Sequence, residues 1–393
     1  MFGVLPEPRP DALMLVSQRF RADSRPDKLD LGVGVYRDAE GRASILDVVK
    51  HAETLIVQDQ PSKAYLPADG DADFVALMQE MVLGAENNAL KDKRVAAAQC
   101  PGGTGSLHQA LALLKRAGKD PAIWVGTPTW PNHIPMINHQ NFAIETYDYF
   151  DIPTQSLKFD QMMSALARAE AGDVVLLHGV CHNPTGADLD HDQWQQVVEV
   201  VRERALIPLF DFAYQGFGNG SDADAVGVRL MSEQVPELLI AASCSKSFGL
   251  YRERTGILLV QCDSRQAAEA ATGSLQTLAG LNYSNPPDHG GAIVRTILSD
   301  PDLKSRWSEE LQQMRERVQS IRQALVREGQ VQSCDLDFTG QQAGLFTTFA
   351  LTEEQVTEFA ESHAIHMPAT GRINMSGLSI TDVPRFVTAL RSV

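Results

Sequence analysis

One lysine set among small hydroxylated residues carries the most chemistry in this sequence. In Ser243-Cys244-Ser245-Lys246-Ser247-Phe248-Gly249 the amine follows an apolar run, Leu238 to Ala242, and a second run, Gly256 to Val260, comes soon after. That spacing does not suit a helix face, so Lys246 is expected on a loop at the end of a buried sheet. An amine desolvated there loses its proton more readily and can attack a carbonyl. Taken alone, such a lysine is more often an anion-binding charge or a surface residue than a catalyst. Its neighbours bear on the choice. Arg254 stands a few residues on; Asp211 closes the apolar run Leu206 to Phe210, and Tyr214 follows Asp211 closely. A carboxylate at the carboxyl end of a buried strand needs a partner, and that edge is where open α/β sheets bind ligands. A structural salt bridge is the plain alternative. Pro101-Gly102-Gly103-Thr104-Gly105-Ser106 lies between a strand candidate, Val95 to Gln99, and a helix with Leu107, Ala110, Leu111 and Leu114 on one face. Free N–H groups and the positive end of the helix dipole converge on one spot there, an anion seat that lacks the lysine of a P-loop. A tight turn without a ligand is the other reading of that motif.

These groups need a scaffold to bring them together. From about residue 73, strand and helix patterns alternate, which argues for a mostly parallel sheet covered on both faces. Further strands are expected at Pro121 to Gly126 and Val174 to His178. They lead into the loops Thr127-Pro128-Thr129-Trp130-Pro131-Asn132-His133 and Cys181-His182-Asn183-Pro184-Thr185-Gly186. Trp130 and His133 read first as packing. His178 and His182 lack the one-face geometry of a helical metal-binding pair and have no carboxylate companion. Upstream, Asp11 can cap a helix through Phe20, and Leu29 to Tyr36 reads as a strand interrupted by Gly32 and Gly34, where backbone can approach a ligand. Arg37 stands where a GxGxxG dinucleotide fingerprint requires glycine. Ile45 to Gln58 is helical in pattern, and Tyr65 sits in a turn where a tyrosine is ordinarily packing. Trp307, Leu311, Met314, Val318, Ile321 and Leu325 recur at helical spacing within one long amphipathic helix from Leu303 to about Glu328. Beyond it, strands around Leu345 to Leu351 and Gly371 to Met375, with helices near Glu353 to Ser362 and Asp382 to Arg391, suggest a small α+β domain with Arg372 half-buried in a strand.

Composition narrows the partners. A chain of 393 residues with 44% hydrophobic content can bury a large core, most simply as two domains. A formal net charge of −16 argues against nucleic-acid phosphates or an anionic membrane as the main partner, while leaving room for a local arginine pocket. Cys100, Cys181, Cys244, Cys262 and Cys334 are odd in number and show no zinc spacing, so they read as buried free thiols of a reducing compartment. Met1 to Pro10 carries prolines and charges without an apolar core. It reads as an extended arm that needs a neighbouring surface such as another subunit, and not as a signal peptide. No stretch approaches the ~20 apolar residues of a membrane span, so a soluble, cytoplasmic protein is expected.

An anion cradle, a carboxylate, a phenol, and an amine with hydroxyls and an arginine thus come from four strand ends. Pyridoxal 5′-phosphate uses all of them: an aldehyde for lysine, a ring nitrogen held protonated, a 3-oxygen and a phosphate. The chain also resembles the class I aspartate/aromatic aminotransferases, fold type I pyridoxal-phosphate enzymes, from Phe20-Arg21-Ala22-Asp23 to its C-terminus. The motifs that carry the resemblance are Pro-Gly-Gly-Thr-Gly at 101–105, Trp-Pro-Asn-His at 130–133, Cys-His-Asn-Pro-Thr-Gly at 181–186, Asp-Phe-Ala-Tyr-Gln-Gly-Phe at 211–217, Ser-Lys-x-Phe-Gly-Leu-Tyr at 245–251 and Asn-Tyr-Ser-Asn-Pro-Pro at 282–287.

The resemblance implies an α/β fold. Its large domain, 44–313, would be built on a mostly parallel seven-stranded sheet. A small α+β domain would comprise 12–43 and 314–393, with an arm at 1–11. It implies that Lys246 binds the cofactor and later moves the substrate proton. Asp211, backed by His133, would meet the ring nitrogen; Tyr214 and Asn183 would meet the 3-oxygen; and Trp130 would stack on the ring. Gly103, Thr104, Ser243, Ser245 and Arg254 would hold the phosphate, with Tyr65 coming from the second subunit of a homodimer. Arg372 would clamp the substrate α-carboxylate in a bidentate pair, near Asn183, Trp130 and Gly34.

The chain departs from the family at Gly280, where relatives place a second arginine that reaches across the dimer to a distal carboxylate. With Leu13, Met14 and Phe346 at positions that line the substrate side chain, aromatic or bulky neutral amino acids are expected over aspartate, unless a neighbour such as Arg37 substitutes. Aspartate transfer, or a lyase reaction on the same scaffold, is the alternative. A nicotinamide oxidoreductase lacks its fingerprint here, and a non-catalytic binding protein has no use for Lys246 together with Asp211.

Overall fold

Unbroken apolar segments form the centre of the molecule. A computed structural model describes residues 2–4, 12–118, 120–331 and 334–393. Asp11 and most of the N-terminal arm lie outside these residues. The main sheet consists of β1 (Val95–Pro101), β2 (Ile123–Thr127), β3 (Ile144–Asp148), β4 (Val174–His178), β5 (Ile207–Phe212), β6 (Leu238–Ser243) and β7 (Thr255–Gln261), in the spatial order β1-β7-β6-β5-β4-β2-β3. Every neighbouring pair from β3 to β6 is parallel; β7 alone runs antiparallel, to both β6 and β1. The expected mostly parallel seven-stranded sheet is therefore present.

All residues of β6 and β7 are buried, as strands covered on both faces must be. Side chains alternate between the two faces, so Leu238, Ile240 and Ala242 enter one apolar core while Leu239 and Ala241 enter the other. Four helices matter for the site: α1 (Ala12–Ala22), α2 (Gly102–Arg116), α3 (Arg265–Asn282) and α4 (Pro301–Glu328). The Leu107, Ala110, Leu111 and Leu114 face of α2 is buried against the second core.

α4 starts where Asp300 accepts hydrogen bonds from the amides of Asp302 and Leu303, with Pro301 in the first turn. Its spaced residues Trp307, Leu311, Met314, Val318, Ile321 and Leu325 are all buried. Trp307 stacks on Phe248 at 4.6 Å and donates from Nε1 to the Ser247 carbonyl at 2.8 Å, tying the helix to the lysine loop. In the C-terminal part, β8 (Phe346–Thr348) pairs antiparallel with β9 (Arg372–Asn374), and Leu29–Asp30 pairs parallel with Ile365–His366.

Two expectations need correction. Leu29 to Tyr36 is not one strand: only Leu29–Asp30 is. The glycines leave 32–37 as a strap, and Asn374 substitutes for a ladder by donating from Nδ2 to the carbonyls of Val33 and Val35 at 2.7 and 2.8 Å. Asp211 lies within β5, one residue before its end, paired in register with His178. Cys100, Cys181, Cys244 and Cys262 are buried free thiols; the side chain of Cys334 lies outside the described residues. Among the described residues, no helix is long and apolar enough to cross a membrane.

Candidate active site

The carboxyl ends of the parallel strands β2, β4, β5 and β6, together with the β1–α2 junction, surround a cavity of about 220 Å³. At the junction, Pro101 offers no side-chain cap, so the first-turn amides of α2 are left to a ligand. Gly102 sits at φ +74, and a Cβ there would run into the Arg254 guanidinium; only glycine lets α2 begin against that arginine. Ser243 ends β6 and its Oγ accepts from the Ser245 amide at 3.2 Å. Arg254 Nη1 reaches the Tyr251 carbonyl at 3.2 Å and Ser245 Oγ at 3.5 Å. Gly103, Thr104, Ser243, Ser245 and Arg254 all line the cavity. Uncapped amides, two hydroxyls and a guanidinium that, among the described residues, has no carboxylate in contact suit a phosphate.

Asp211 Oδ2 accepts from His133 Nε2 at 2.9 Å. A carboxylate only accepts, so this ring nitrogen carries the proton. His133 Nδ1 lies 2.7 Å from Thr129 Oγ1, which lies 3.0 Å from His178 Nε2. Burial pushes His178 down to about 3, helped by nearby His133, so it is neutral. Burial pushes Asp211 up, but the His133 hydrogen bond and the positive charges around it outweigh that and hold the carboxyl below its ordinary range. Asp211 is therefore a fixed anion, and its Oδ1 makes no hydrogen bond among the described residues. His178 and His182, considered above as a metal pair, instead lie 4.2 Å apart as packed rings, and burial pushes His182 down as well.

Lys246 stands on the predicted loop, its Nζ 4.7 Å from the centre of the Tyr214 ring. Burial lowers its pKa to about 8; Asp211 opposes the fall, while Arg254 and Arg372 add to it. Burial raises Tyr214, so its phenol stays protonated. Asn183 joins the two ends of the site: Nδ2 faces the Tyr214 hydroxyl at 3.5 Å and Oδ1 faces Arg372 Nη1 at 3.4 Å. Arg372 is buried, stacks on Phe346 at 4.3 Å and donates from Nη2 to the Gly32 carbonyl at 2.8 Å. Its Nε is buried without a partner. A buried guanidinium with an orphaned N–H and, among the described residues, no carboxylate partner suits an incoming carboxylate. Gly34 lines the cavity so close to Phe346 that an added Cβ would lie 3.0 Å from the ring.

The chain thus brings together Lys246, Asp211, His133, Tyr214, Trp130, Asn183, Arg372, Phe346, Gly34 and the anion seat. It does not bring in Tyr65, which is 92% exposed, or Gly280, which lies exposed on α3 with open space around it. Met14 is exposed on α1, and the side chain of Leu13 lies outside the described residues. From the sequence, Tyr251 and Thr129 carry no assigned role, and His178 figures only as half of a rejected metal pair. Only the spacing of Thr129 and His133 on one turn hinted at their contact.

An activated lysine, a fixed carboxylate with a histidine behind it, and a phosphate seat at the carboxyl edge of such a sheet define a fold type I pyridoxal-phosphate enzyme. The chain belongs to the class I and II aminotransferases, whose family model matches residues 26–390. Tyrosine aminotransferase of Rhizobium meliloti (strain 1021) is 46% identical over 382 residues, 97% of each chain. Aspartate aminotransferase of Escherichia coli (strain K12) is 39% identical over 385 residues, 98% of this chain and 97% of the relative. The crystal structure of an aromatic-amino-acid aminotransferase from Burkholderia pseudomallei, covalently bound to pyridoxal phosphate, is 37% identical, matches with a TM-score of 0.96 and spans 100% of this chain and 99% of that one.

Proposed function

We propose that this aminotransferase exchanges the amino group between an aromatic or other bulky neutral L-amino acid and a 2-oxo acid. The observation that carries the reading is a cavity lined by Lys246, by Asp211 with His133 behind it, and by Asn183, whose Oδ1 faces Arg372 with its unpartnered Nε. Bound pyridoxal phosphate would supply an electron sink for the carbanion formed at the substrate Cα. The protein's share is binding, orientation and proton handling. Arg372 binds the α-carboxylate, with Asn183 fixing its Nη1 side. Lys246 Nζ, held near pH 8 by burial, takes the proton from Cα at neutral pH. Asp211, kept anionic by His133, would hold the ring nitrogen protonated. Tyr214 and Asn183 would meet the 3-oxygen, Trp130 would stack on the ring, and the seat from Gly103 to Arg254 would hold the phosphate. In this reading, residues 12–43 and 314–393 close on 44–313 and expel water before proton transfer.

A homodimer with shared sites completes the reading. Tyr65 at 92% exposure and Leu281 at 78% are large residues left in solvent by one chain, and Gly280 adjoins Leu281. Facing a second copy, Tyr65 of the partner subunit would reach the phosphate. Mixing Lys246→Ala with a Tyr65 variant should then restore activity through hybrid sites; a fully active monomer in sedimentation would rule the arrangement out.

Substrate choice follows from Gly280. A dicarboxylate would bury its second charge opposite a residue with no side chain, and an uncompensated buried charge costs ~3–5 kcal/mol, hundreds-fold or more in affinity. Arg37 is committed elsewhere, with Nη2 2.7 Å from Asp30 and Nη1 on the Gly41 carbonyl. The test is kcat/KM for phenylalanine, tryptophan and aspartate in wild type and in Gly280→Arg, with ammonia release followed in parallel. Wild type should favour the aromatic substrates, and Gly280→Arg should gain on aspartate. A preference for aspartate in wild type overturns the pocket account, and ammonia release without dependence on the 2-oxo acid overturns transfer. Borohydride reduction followed by peptide mapping should find the cofactor on Lys246.

A further inference from the structure

Tyr251 lines the cavity, yet nothing in the chemistry above uses it. Its ring is desolvated enough that burial pushes the phenol well up, so the hydroxyl is always protonated. The hydroxyl oxygen accepts the backbone N–H of Tyr36 at 2.9 Å. Two assemblies meet at that bond. On one side, the strap 32–37 is fastened to β9 and the turn after it. Arg372 donates to the Gly32 carbonyl at 2.8 Å, Asn374 holds the carbonyls of Val33 and Val35, and the Arg37 amide donates to Ser376 Oγ at 3.1 Å. On the other side, the Tyr251 carbonyl accepts from Arg254 Nη1 at 3.2 Å, and Arg254 also reaches Ser245 Oγ. Among the described residues, Tyr36 N–H to Tyr251 Oη is the only hydrogen bond between the strap and residues 95–261.

We infer that Tyr251 is a positioning residue for substrate. Its hydroxyl latches the strap that supports Arg372 to the loop that carries Arg254, and so, together with the Arg372–Asn183 contact, sets how far the α-carboxylate clamp stands from the anion seat in the arrangement this structure shows. The inference rests on the reading of Arg372 as the carboxylate clamp. The bond is local and directional. Because its acceptor is a side chain on the opposite assembly, it breaks if the strap and β9 move away together, and the strap's bonds to β9 survive. A catalytic phenol would instead donate its proton to the reacting atoms. In the latch, the lone pair does the holding.

Tyr251→Phe keeps the ring and removes only the acceptor. Leaving the Tyr36 N–H without a partner should raise KM about tenfold for both the amino acid and the 2-oxo acid, with kcat within about threefold of wild type. The pH dependence of the bound-cofactor absorbance should not move, because the phenol is far from titrating. In the cofactor-free protein, hydrogen exchange followed by mass spectrometry should show the peptide spanning 32–37 losing about tenfold in protection, a readout independent of turnover. A fall in kcat with unchanged KM, or a shifted absorbance profile, would make Tyr251 a catalytic group and overturn the latch. Unchanged exchange at 32–37 would overturn it as well. A wild type without any transfer activity, combined with loss of protection in Tyr251→Phe, would instead leave the latch standing and refute the functional reading it serves.

Discussion

The lowered basicity of Lys246 can be measured without cofactor or substrate. Reductive methylation consumes only unprotonated amines, so the rate of labelling at the Lys246 peptide of the apoprotein reports its ionisation across pH. With a pKa of about 8, roughly one tenth of the amine is free at pH 7, about 300-fold more than at the ordinary 10.5. The Lys246 peptide should therefore show a midpoint near pH 8. The neighbours fix the sign of two further changes. Asp211 favours the ammonium, so Asp211→Asn should move the midpoint lower still; Arg372 disfavours it, so Arg372→Leu should move it up. Linkage runs the same way. The folded pKa lies below the unfolded one, so the cost of burying the ammonium is fully present below pH 8. That cost is relieved as pH climbs toward 10.5, and the fall from 10.5 to about 8 corresponds to about 3 kcal/mol. A midpoint near 10.5, or an upward shift in Asp211→Asn, would refute the electrostatic account of this lysine.

Two further substitutions probe the frame that holds the site. Asp188 accepts from the Cys181 amide through Oδ2 at 2.8 Å and from the His182 amide through Oδ1 at 2.9 Å, holding the turn at Cys181, φ 54, that leads to Asn183. Asp188→Asn sets an NH2 against one of those amides, so thermal unfolding should show a loss of about 1–3 kcal/mol and activity should fall with it; an unchanged transition would mean that the loop is held by other contacts. Trp307→Ala removes the stack on Phe248 and the hydrogen bond to Ser247, one residue from the reactive lysine, and should cost about 3–5 kcal/mol in urea unfolding. Trp307→Phe, which keeps the stack, should cost about 1 kcal/mol.

The parts of the molecule that were legible in the sequence are those fixed by local pattern. Strands such as Leu238–Ser243 show as apolar runs because both of their faces are covered. The long helix shows through its spaced apolar residues, while its start at Asp300 and Pro301, two residues before Leu303, comes from the structure. Several residues of the cavity could be singled out for a related reason: Asp211, Tyr214, Ser243, Ser245 and Arg254 sit at or within two residues of a strand end, next to turns with their own composition. The strap 32–37 was not legible, because its backbone partners are the side chains of Arg372 and Asn374, more than three hundred positions away. The Thr129–His178 contact behind His133 and the Tyr251–Tyr36 bond escaped in the same way. Each joins residues that no local period relates, and both lone threonines and loop tyrosines are common as packing.

The substrate side of the cavity follows from a count of charges. Among the described residues that line the cavity or touch its lining, the cations are Lys246, Arg254 and Arg372, and the proposed cofactor chemistry would use the first two. In that reading Arg372 is left for one carboxylate, while Arg37 is held by Asp30. A substrate with a single carboxylate finds every charge matched. A substrate with two must either expel another anion or bring its second charge against Phe346 and Tyr214, rings that lie edge to face at 6.1 Å. The E. coli aspartate and R. meliloti tyrosine enzymes resemble this chain at 39% and 46% identity, so one shared fold serves both kinds of substrate. The choice between them therefore depends on whether a further cation reaches the cavity from outside the chain. In the homodimer proposed above, the position from which such a cation would come is Gly280, which has no side chain to supply it.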